Sequence, residues 1–184
     1  AGFDILYSFD IEAKAIATIK ANPEYFKNHK AETRDIYDVE TAELLKSLNL
    51  KSGELDLLAG GPPCQGFSVQ RIGADLDERN HLVEEYISKV IAIRPKMFIL
   101  ENVPGIEGKR GKNILHSALE KVEKSGYFIH EKILDGQDYG VPQRRKRVVI
   151  VGERKDHKIP LFEYPKPQEH KITVREAIAY LPEP

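Results

Sequence analysis

A short apolar run, Leu55 to Ala59, stops at Gly60-Gly61-Pro62-Pro63. Two glycines followed by two prolines can neither continue a strand nor open a helix. The run therefore reads as a buried strand that ends in a turn. That turn presents Cys64, the only cysteine in 184 residues. A second continuous apolar run, Met97-Phe98-Ile99-Leu100, ends in Glu101-Asn102-Val103-Pro104-Gly105. Uninterrupted apolar strands belong to parallel sheets covered on both faces. Open α/β sheets place their ligands at the carboxyl ends of such strands. The two strands thus deliver Cys64 and Glu101 to the end where ligands bind. A lone cysteine in a turn is also, equally well, a small buried hydrophobe.

The remaining chain alternates strand and helix signals. Asp4 to Phe9 is strand-like, and Ile11 to Ala21 has helical spacing through Ile11, Ala15, Ile16 and Ile19 before Asn22-Pro23 stops it. His29 to Thr33 reads as a short strand, and Asp38 to Leu50 as an amphipathic helix through Val39, Ala42, Leu45 and Leu48. Val69 to Asn80 has no periodicity over about a dozen residues, a length at which connections are often functional. His81 to Arg94 returns to helical spacing through Leu82, Tyr86, Val90 and Ile93, closed by Pro95. Asn113 to Ser125 predicts another helix, capped by Gly126. Tyr127 to Leu134 and Arg147 to Val151 read as strands, and the segment between them is too short for a crossover helix. These two strands are therefore expected to pair antiparallel. Thr173 opens a short helix with Glu176 three residues on, the pattern of a capping box.

Acids follow two of the strands. Asp10 and Asp35 suit ribose or amino donors of a nucleotide-like ligand, and they suit helix capping as well. The hydrophobic fraction of 41% and charged fraction of 31% are those of a globular chain. No apolar run reaches the roughly 20 residues that span a bilayer, so no membrane partner is expected. One cysteine excludes an internal disulfide and a multi-cysteine metal site, and a reduced cytoplasm suits a free thiol. The net charge of −1 argues mildly against nucleic acid, but Lys109, Arg110 and Lys112 cluster, as do Arg144, Arg145, Lys146 and Arg147.

Four motifs in order resemble those of the cytosine-C5 DNA methyltransferases. Pro62-Pro63-Cys64-Gln65 with Phe67-Ser68 resembles the family's catalytic motif, and Glu101-Asn102-Val103 its Glu-Asn-Val motif. Gln143, Arg145 and Arg147 fit Gln-x-Arg-x-Arg, and Ser8-Phe9-Asp10 with Asp35-Ile36 resembles the cofactor acids, although the family usually has Glu at position 10. The resemblance implies a doubly wound, mostly parallel α/β sheet of the S-adenosylmethionine-dependent methyltransferase type. It implies methyl transfer from S-adenosylmethionine to cytosine C5 of double-stranded DNA, as in restriction-modification systems of prokaryotic cytoplasm. Cys64, Glu101, Arg145 and Arg147 would be catalytic. Asp10, Ile11, Asp35, Ile36, Pro62 and Leu82 would hold the cofactor. Gln65, Ser68, Gln70, Arg79 and Gln143 would meet DNA, with the loop after Ser68 closing over a flipped base.

RNA cytosine as substrate keeps the same chemistry and remains an alternative. A non-catalytic interaction subunit is disfavoured because both Cys64 and Glu101 are present. Glu101 with Arg147 also reads as a structural ion pair. The family opens with a strand and a glycine-rich turn, and a recognition domain follows the segment that Thr173 to Ile178 resembles. Neither motif is found in residues 1–184. Residues 1–159 accordingly read as a catalytic core lacking its first strand, and residues 160–184 as a Pro-rich connection toward a recognition domain. A complementary polypeptide or chain segment carrying the glycine-rich motif is the expected partner.

Overall fold

The computed structural model describes residues 2–25, 29–63, 81–108 and 111–182. Two sheets result. Strands β1 (Tyr7–Asp10) and β2 (Lys30–Thr33) form a parallel pair, crossed by helix α1 (Ala13–Lys20). A 3-10 turn over Ile36–Asp38 and helix α2 (Thr41–Ser47) lead to strand β3 (Leu57–Gly60). Helix α3 (His81–Ile93), strand β4 (Met97–Asn102), helix α4 (Gly111–Lys124), and strands β5 (Tyr127–Asp135) and β6 (Lys146–Arg154) follow. The second sheet has the order β3-β4-β6-β5. Its β3–β4 pairing is parallel, and β4–β6 and β6–β5 are antiparallel. The α/β class and the antiparallel β5–β6 pair match the sequence reading. The sheet is mixed, and it comes in two pieces.

The core lies on one face of the four-stranded sheet. Phe98 and Leu100 of β4 and Val148 and Ile150 of β6 meet Val83, Tyr86, Ile87 and Val90 of α3 and Leu115, Ala118 and Val122 of α4. Helical spacing set these contacts, because residues three and four apart share a face. Phe98 also lies over Gly152, where a Cβ would come within 1.8 Å of its ring. Only a residue without a side chain fits beneath that ring. Pro95 closes α3 as expected, through a left-handed Arg94 at φ 55°.

The opposite face is covered in part by the C-terminal segment. The Glu153 carboxylate accepts N–H bonds from Leu161 (3.0 Å) and Phe162 (2.9 Å). The Tyr164 hydroxyl donates to carbonyls of two adjacent strands, Val149 of β6 (2.7 Å) and His130 of β5 (2.9 Å). Gln168 then donates its N–H to the Asp138 carbonyl at 2.8 Å. Helix α5 (Val174–Ile178) ends the segment with the predicted capping box between Thr173 and Glu176.

Several expected elements are shorter. The helix expected from Ile11 starts at Ala13, because the Asp10 carboxylate takes the Glu12 N–H and holds an extra turn before it. The helix expected over Asp38 to Leu50 spans only Thr41–Ser47, since the 3-10 turn consumes its start and Asn49 turns left-handed at φ 54°. Strand β3 is a correction of another kind. Leu57 and Leu58 are only half-buried and Ala59 is exposed, although the apolar run predicts burial. Among the described residues β3 pairs on one side alone, with β4.

Candidate active site

Strands β3 and β4 end side by side, with Gly60 opposite Leu100 in the register. From there the chain must bend sharply, and two contacts set the bend. A Cβ on Gly60 would lie 2.5 Å from the Tyr86 ring, so the backbone rests directly on that ring. The Tyr86 hydroxyl donates to the Ile99 carbonyl (2.8 Å) and the Leu58 carbonyl (3.2 Å), joining the two strands from below. Burial pushes the Tyr86 pKa well above its ordinary value, so it stays a neutral donor. The sequence marked Tyr86 only as an apolar helix position. A strand bridge by its hydroxyl has no sequence signal.

Asn102, the last residue of β4, is buried and donates Nδ2–H to the Pro62 carbonyl at 2.9 Å. Its Oδ1 accepts the Val103 N–H at 2.8 Å. One side chain thus ties the Gly-Gly-Pro-Pro turn to the end of β4. Removing it would strand a buried carbonyl, at a cost of about 1–3 kcal/mol.

Glu101 sits on the other side of the same turn. Its Oε2 lies 3.3 Å from the point where a Gly61 Cβ would stand. Its Oε1 meets Arg147 Nε at 2.7 Å, and both side chains are partly exposed. Arg147 also donates to the Lys146 carbonyl at 2.7 Å. The register pairs Glu101 with Val149, so Arg147 is the diagonal neighbour that a long side chain reaches. Glu101, Arg147, Asn102 and the base of the turn to Cys64 therefore form one cluster. Arg145 and Gln143 are exposed on the connection before β6. Cys64, Gln65, Ser68, Gln70, Arg79 and the loop from Val69 to Asn80 lie outside the described residues.

Four of the cofactor candidates, Asp10, Ile11, Asp35 and Ile36, lie at or just after the strands of the other sheet. Asp10 ends β1 and Asp35 follows β2, so both stand at carboxyl ends of adjacent parallel strands. Each carboxylate uses Oδ1 on its own backbone, Asp10 for Glu12 N (2.8 Å) and Asp35 for Tyr37 N (3.1 Å). These are turn-capping bonds, the alternative role that the sequence left open. A carboxylate offers about four acceptor sites, so capping leaves capacity for ribose or amino donors. Ile36 is half-buried against the main core, whereas Ile11 is 66% exposed. An exposed isoleucine beside an acid at a strand end suits the flat face of an adenine. Pro62 is buried in the turn, and Leu82 is half-buried in the first turn of α3. The residues fit the adenosine part of S-adenosylmethionine.

One further acid was not singled out from sequence. Asp135 ends β5, is buried, and accepts the Arg145 N–H at 3.0 Å. Its signal was available, because Asp135-Gly136 repeats the strand-then-acid pattern of Asp10 and is itself a turn dipeptide. Among the described residues no cluster of His, Cys, Asp and Glu is arranged to hold a metal, and no helix is long and apolar enough to cross a membrane.

The profile of a family described as C-5 cytosine-specific DNA methylase matches residues 1–183. A type II methyltransferase, M.XorII of Xanthomonas oryzae pv. oryzae, is 35% identical over 185 residues, which cover 100% of this chain and 42% of that protein. The type II methyltransferase M1.HphI of Haemophilus parahaemolyticus is 37% identical, covering 99% of this chain and 48% of its own. Among solved structures, a DNA modification methyltransferase encoded within an E. coli prophage superposes with a TM-score of 0.82 at 31% identity. That match covers 99% of this chain and 50% of the other. The chain thus spans about half the length of the relatives it matches.

Proposed function

The chain belongs to the C-5 cytosine-specific DNA methylase family, and from that premise we propose that it is the central part of the catalytic domain of a type II methyltransferase acting on cytosine C5 in double-stranded DNA. The observation that carries the reading is the Glu101–Arg147 pair, closed at 2.7 Å and set against the turn that leads to Cys64.

In this reading Asp10, Ile11, Asp35 and Ile36 hold the adenosine of S-adenosylmethionine, with Pro62 and Leu82 beside it. The bound cofactor supplies a methyl group on a sulfonium. Cys64 adds as thiolate to C6 of a flipped cytosine, which splits a hard step into easier ones. The new S–C6 bond places negative charge on N3 and O2. Glu101, having taken a proton from solvent, gives it to N3, and Arg147 holds O2, a preorganised donor for the developing charge. C5 then takes the methyl group from bound S-adenosylmethionine, which leaves as a neutral thioether; water takes the C5 proton, and that C–H electron pair re-forms the C5–C6 double bond and expels Cys64 as thiolate. Asn102 keeps the turn in place throughout. Arg145 and Gln143 brace the site from the DNA side, and Gln65, Ser68, Gln70 and Arg79 belong to the loop that meets the opened duplex.

The partner reading follows from the two sheets. Among the described residues β1 pairs only with β2, and β3 only with β4. A chain segment carrying a glycine-rich strand, seated between β1 and β3, joins both sheets and completes the hold on the methionine end of the cofactor.

The test uses the complete enzyme that contains this chain. DNA carrying 5-fluorocytosine traps an adduct on the wild type and none on Cys64→Ala. Glu101→Gln keeps the shape and removes the proton, and slows turnover by about a hundredfold or more. An adduct on the Cys64→Ala protein would sink the mechanism. A Glu101→Gln rate within about threefold of wild type would leave the ion pair as structural.

A further inference from the structure

We propose that Asp135 is a positioning residue for methyl transfer: its buried carboxylate closes the neck of the 136–145 connection and so sets Arg147 against Glu101. The connection is ten residues by number and carries Gln143, Arg144 and Arg145 at its exposed end. It leaves β5 at Asp135 and enters β6 at Lys146, and those two residues are ladder partners. Asp135 Oδ1 accepts the Arg145 N–H (3.0 Å) and the Gln137 N–H (3.4 Å). Its Oδ2 accepts from the Gln137 side-chain amide at 2.9 Å. The Gly136 N–H donates to the Arg145 carbonyl at 3.0 Å, so both backbone groups of Arg145 are bound at the neck.

The physical consequence lies in register. Side chains on a strand alternate between faces, so Arg147 shares a face with Val149, the ladder partner of Glu101. A slip of one residue at the neck would turn Arg147 to the other side. Arg147 would then leave Glu101, to which it is paired at 2.7 Å. Asp135 opposes that slip because a shifted neck would leave its buried oxygens without donors. Burial pushes its pKa up, but the N–H bonds from Arg145 and Gln137 and the charge of Lys146 outweigh burial and hold it below the ordinary value. The carboxylate is therefore ionised at neutral pH, which strengthens each N–H bond it receives. The outer side of the connection is held independently. Asp138 accepts Gln168 N–H at 2.8 Å and pairs with Lys171 at 2.7 Å, and the Tyr139 hydroxyl donates to the Pro165 carbonyl at 3.3 Å. The C-terminal segment thus fixes the connection from outside, and Asp135 fixes its register from inside.

Shape and charge make different demands here. Asparagine keeps an oxygen for the Arg145 and Gln137 N–H groups, and the Gln137 amide can turn over to accept from the new NH2. Alanine leaves these donors unmet.

The proposal rests on the methyl-transfer reading for its rate arm only. In the complete enzyme, Asp135→Ala lowers kcat about ten- to a hundredfold, the scale of a misplaced reacting group. The affinity for S-adenosylmethionine holds within about twofold, because Asp10 and Asp35 lie on the other sheet. Asp135→Asn keeps kcat within about threefold. Amide exchange provides the second readout: the Arg145 N–H loses protection in Asp135→Ala and keeps it in Asp135→Asn. Unchanged kcat in the alanine variant, or an asparagine variant as slow as alanine, overturns the proposal. So does an Arg145 amide that exchanges alike in all forms. If Asp135→Ala does not fold, the asparagine variant decides: a protected amide with near-normal turnover supports the proposal, and loss of either overturns it. If wild type methylates no cytosine while the exchange pattern holds, the neck brace stands and the functional reading fails.

Discussion

In the four-stranded sheet Phe98, Leu100, Val148 and Ile150 are fully enclosed, whereas in the two-stranded sheet no residue of β1 is buried. Strand β1 does not lack apolar residues, since Tyr7 and Phe9 alternate in it as Phe98 and Leu100 do in β4. The difference lies in what packs against them. The larger sheet has α3 and α4 on one face and the Leu161–Lys171 segment on part of the other. The smaller pair has α1, which buries Ile16 alone, and it leaves Phe3 61% exposed with Ile5 and Leu6 beside it. A parallel pair needs cover on both faces and further strands before it is stable by itself. The comparison teaches that the Glu101–Arg147 cluster is supported by a well-covered core, while Asp10 and Asp35 stand on the less covered part.

The comparison can be pressed hardest at Phe98. Phe98→Ala should cost about 3–5 kcal/mol in chemical denaturation, because it empties the space over Gly152 and beside Tyr86 and Tyr127. A loss below about 1 kcal/mol would mean that the larger sheet is not the stable unit. Gly60→Ala comes next. Its Cβ would stand 2.5 Å from the Tyr86 ring, so a cost of about 1–3 kcal/mol is expected, with the turn to Cys64 displaced. A stable variant of full activity would show that Tyr86 does not seat the turn.

A smaller effect concerns the cover on the second face. Burial raises the Glu153 pKa, but the N–H bonds of Phe162 and Leu161 and the nearby His130 outweigh it and hold it below the ordinary value. Docking of the segment is therefore fully stabilised above the ordinary glutamate range near pH 4.3 and weakens as pH falls through the folded value. The Leu161 and Phe162 amides should lose exchange protection in that acid window before the β4–β6 amides do. Tyr164, pushed up to about 12 by burial, stays a donor throughout. Simultaneous loss at all these amides would contradict a separately docked segment. The smallest effect is expected at Phe3, where alanine should change stability by no more than about 0.5 kcal/mol. A cost above about 2 kcal/mol in the complete protein would show that Phe3 is buried there, and would sharpen the contrast into one of missing cover.

Elements with strong periodicity were legible. Helices α3 and α4, the antiparallel β5–β6 pair and the capping box at Thr173 all follow from local pattern and chemistry, and their ends fall within a few residues of expectation. The residues of the cluster were legible too, since Glu101, Asn102 and Arg147 occur in recognisable strings. Less legible were features decided by a neighbour distant in sequence. Tyr86 was visible as an apolar position, yet its hydroxyl bridges Leu58 and Ile99. Asp135 was one acid among many until Arg145, ten positions later, brought its N–H to it.

Sequence by itself determined where strands stop and which chemistry stands at their ends. Gly60-Gly61-Pro62-Pro63 must turn, because its backbone has no helical or strand alternative. Tertiary structure alone decided that β3 is half-open, that the Glu101 carboxylate reaches Arg147, and that Asp10 and Asp35 cap their own turns. An apolar run states only a need for cover. Whether cover arrives, and which donor a carboxylate meets, depends on strand order and register, which are properties of the whole sheet.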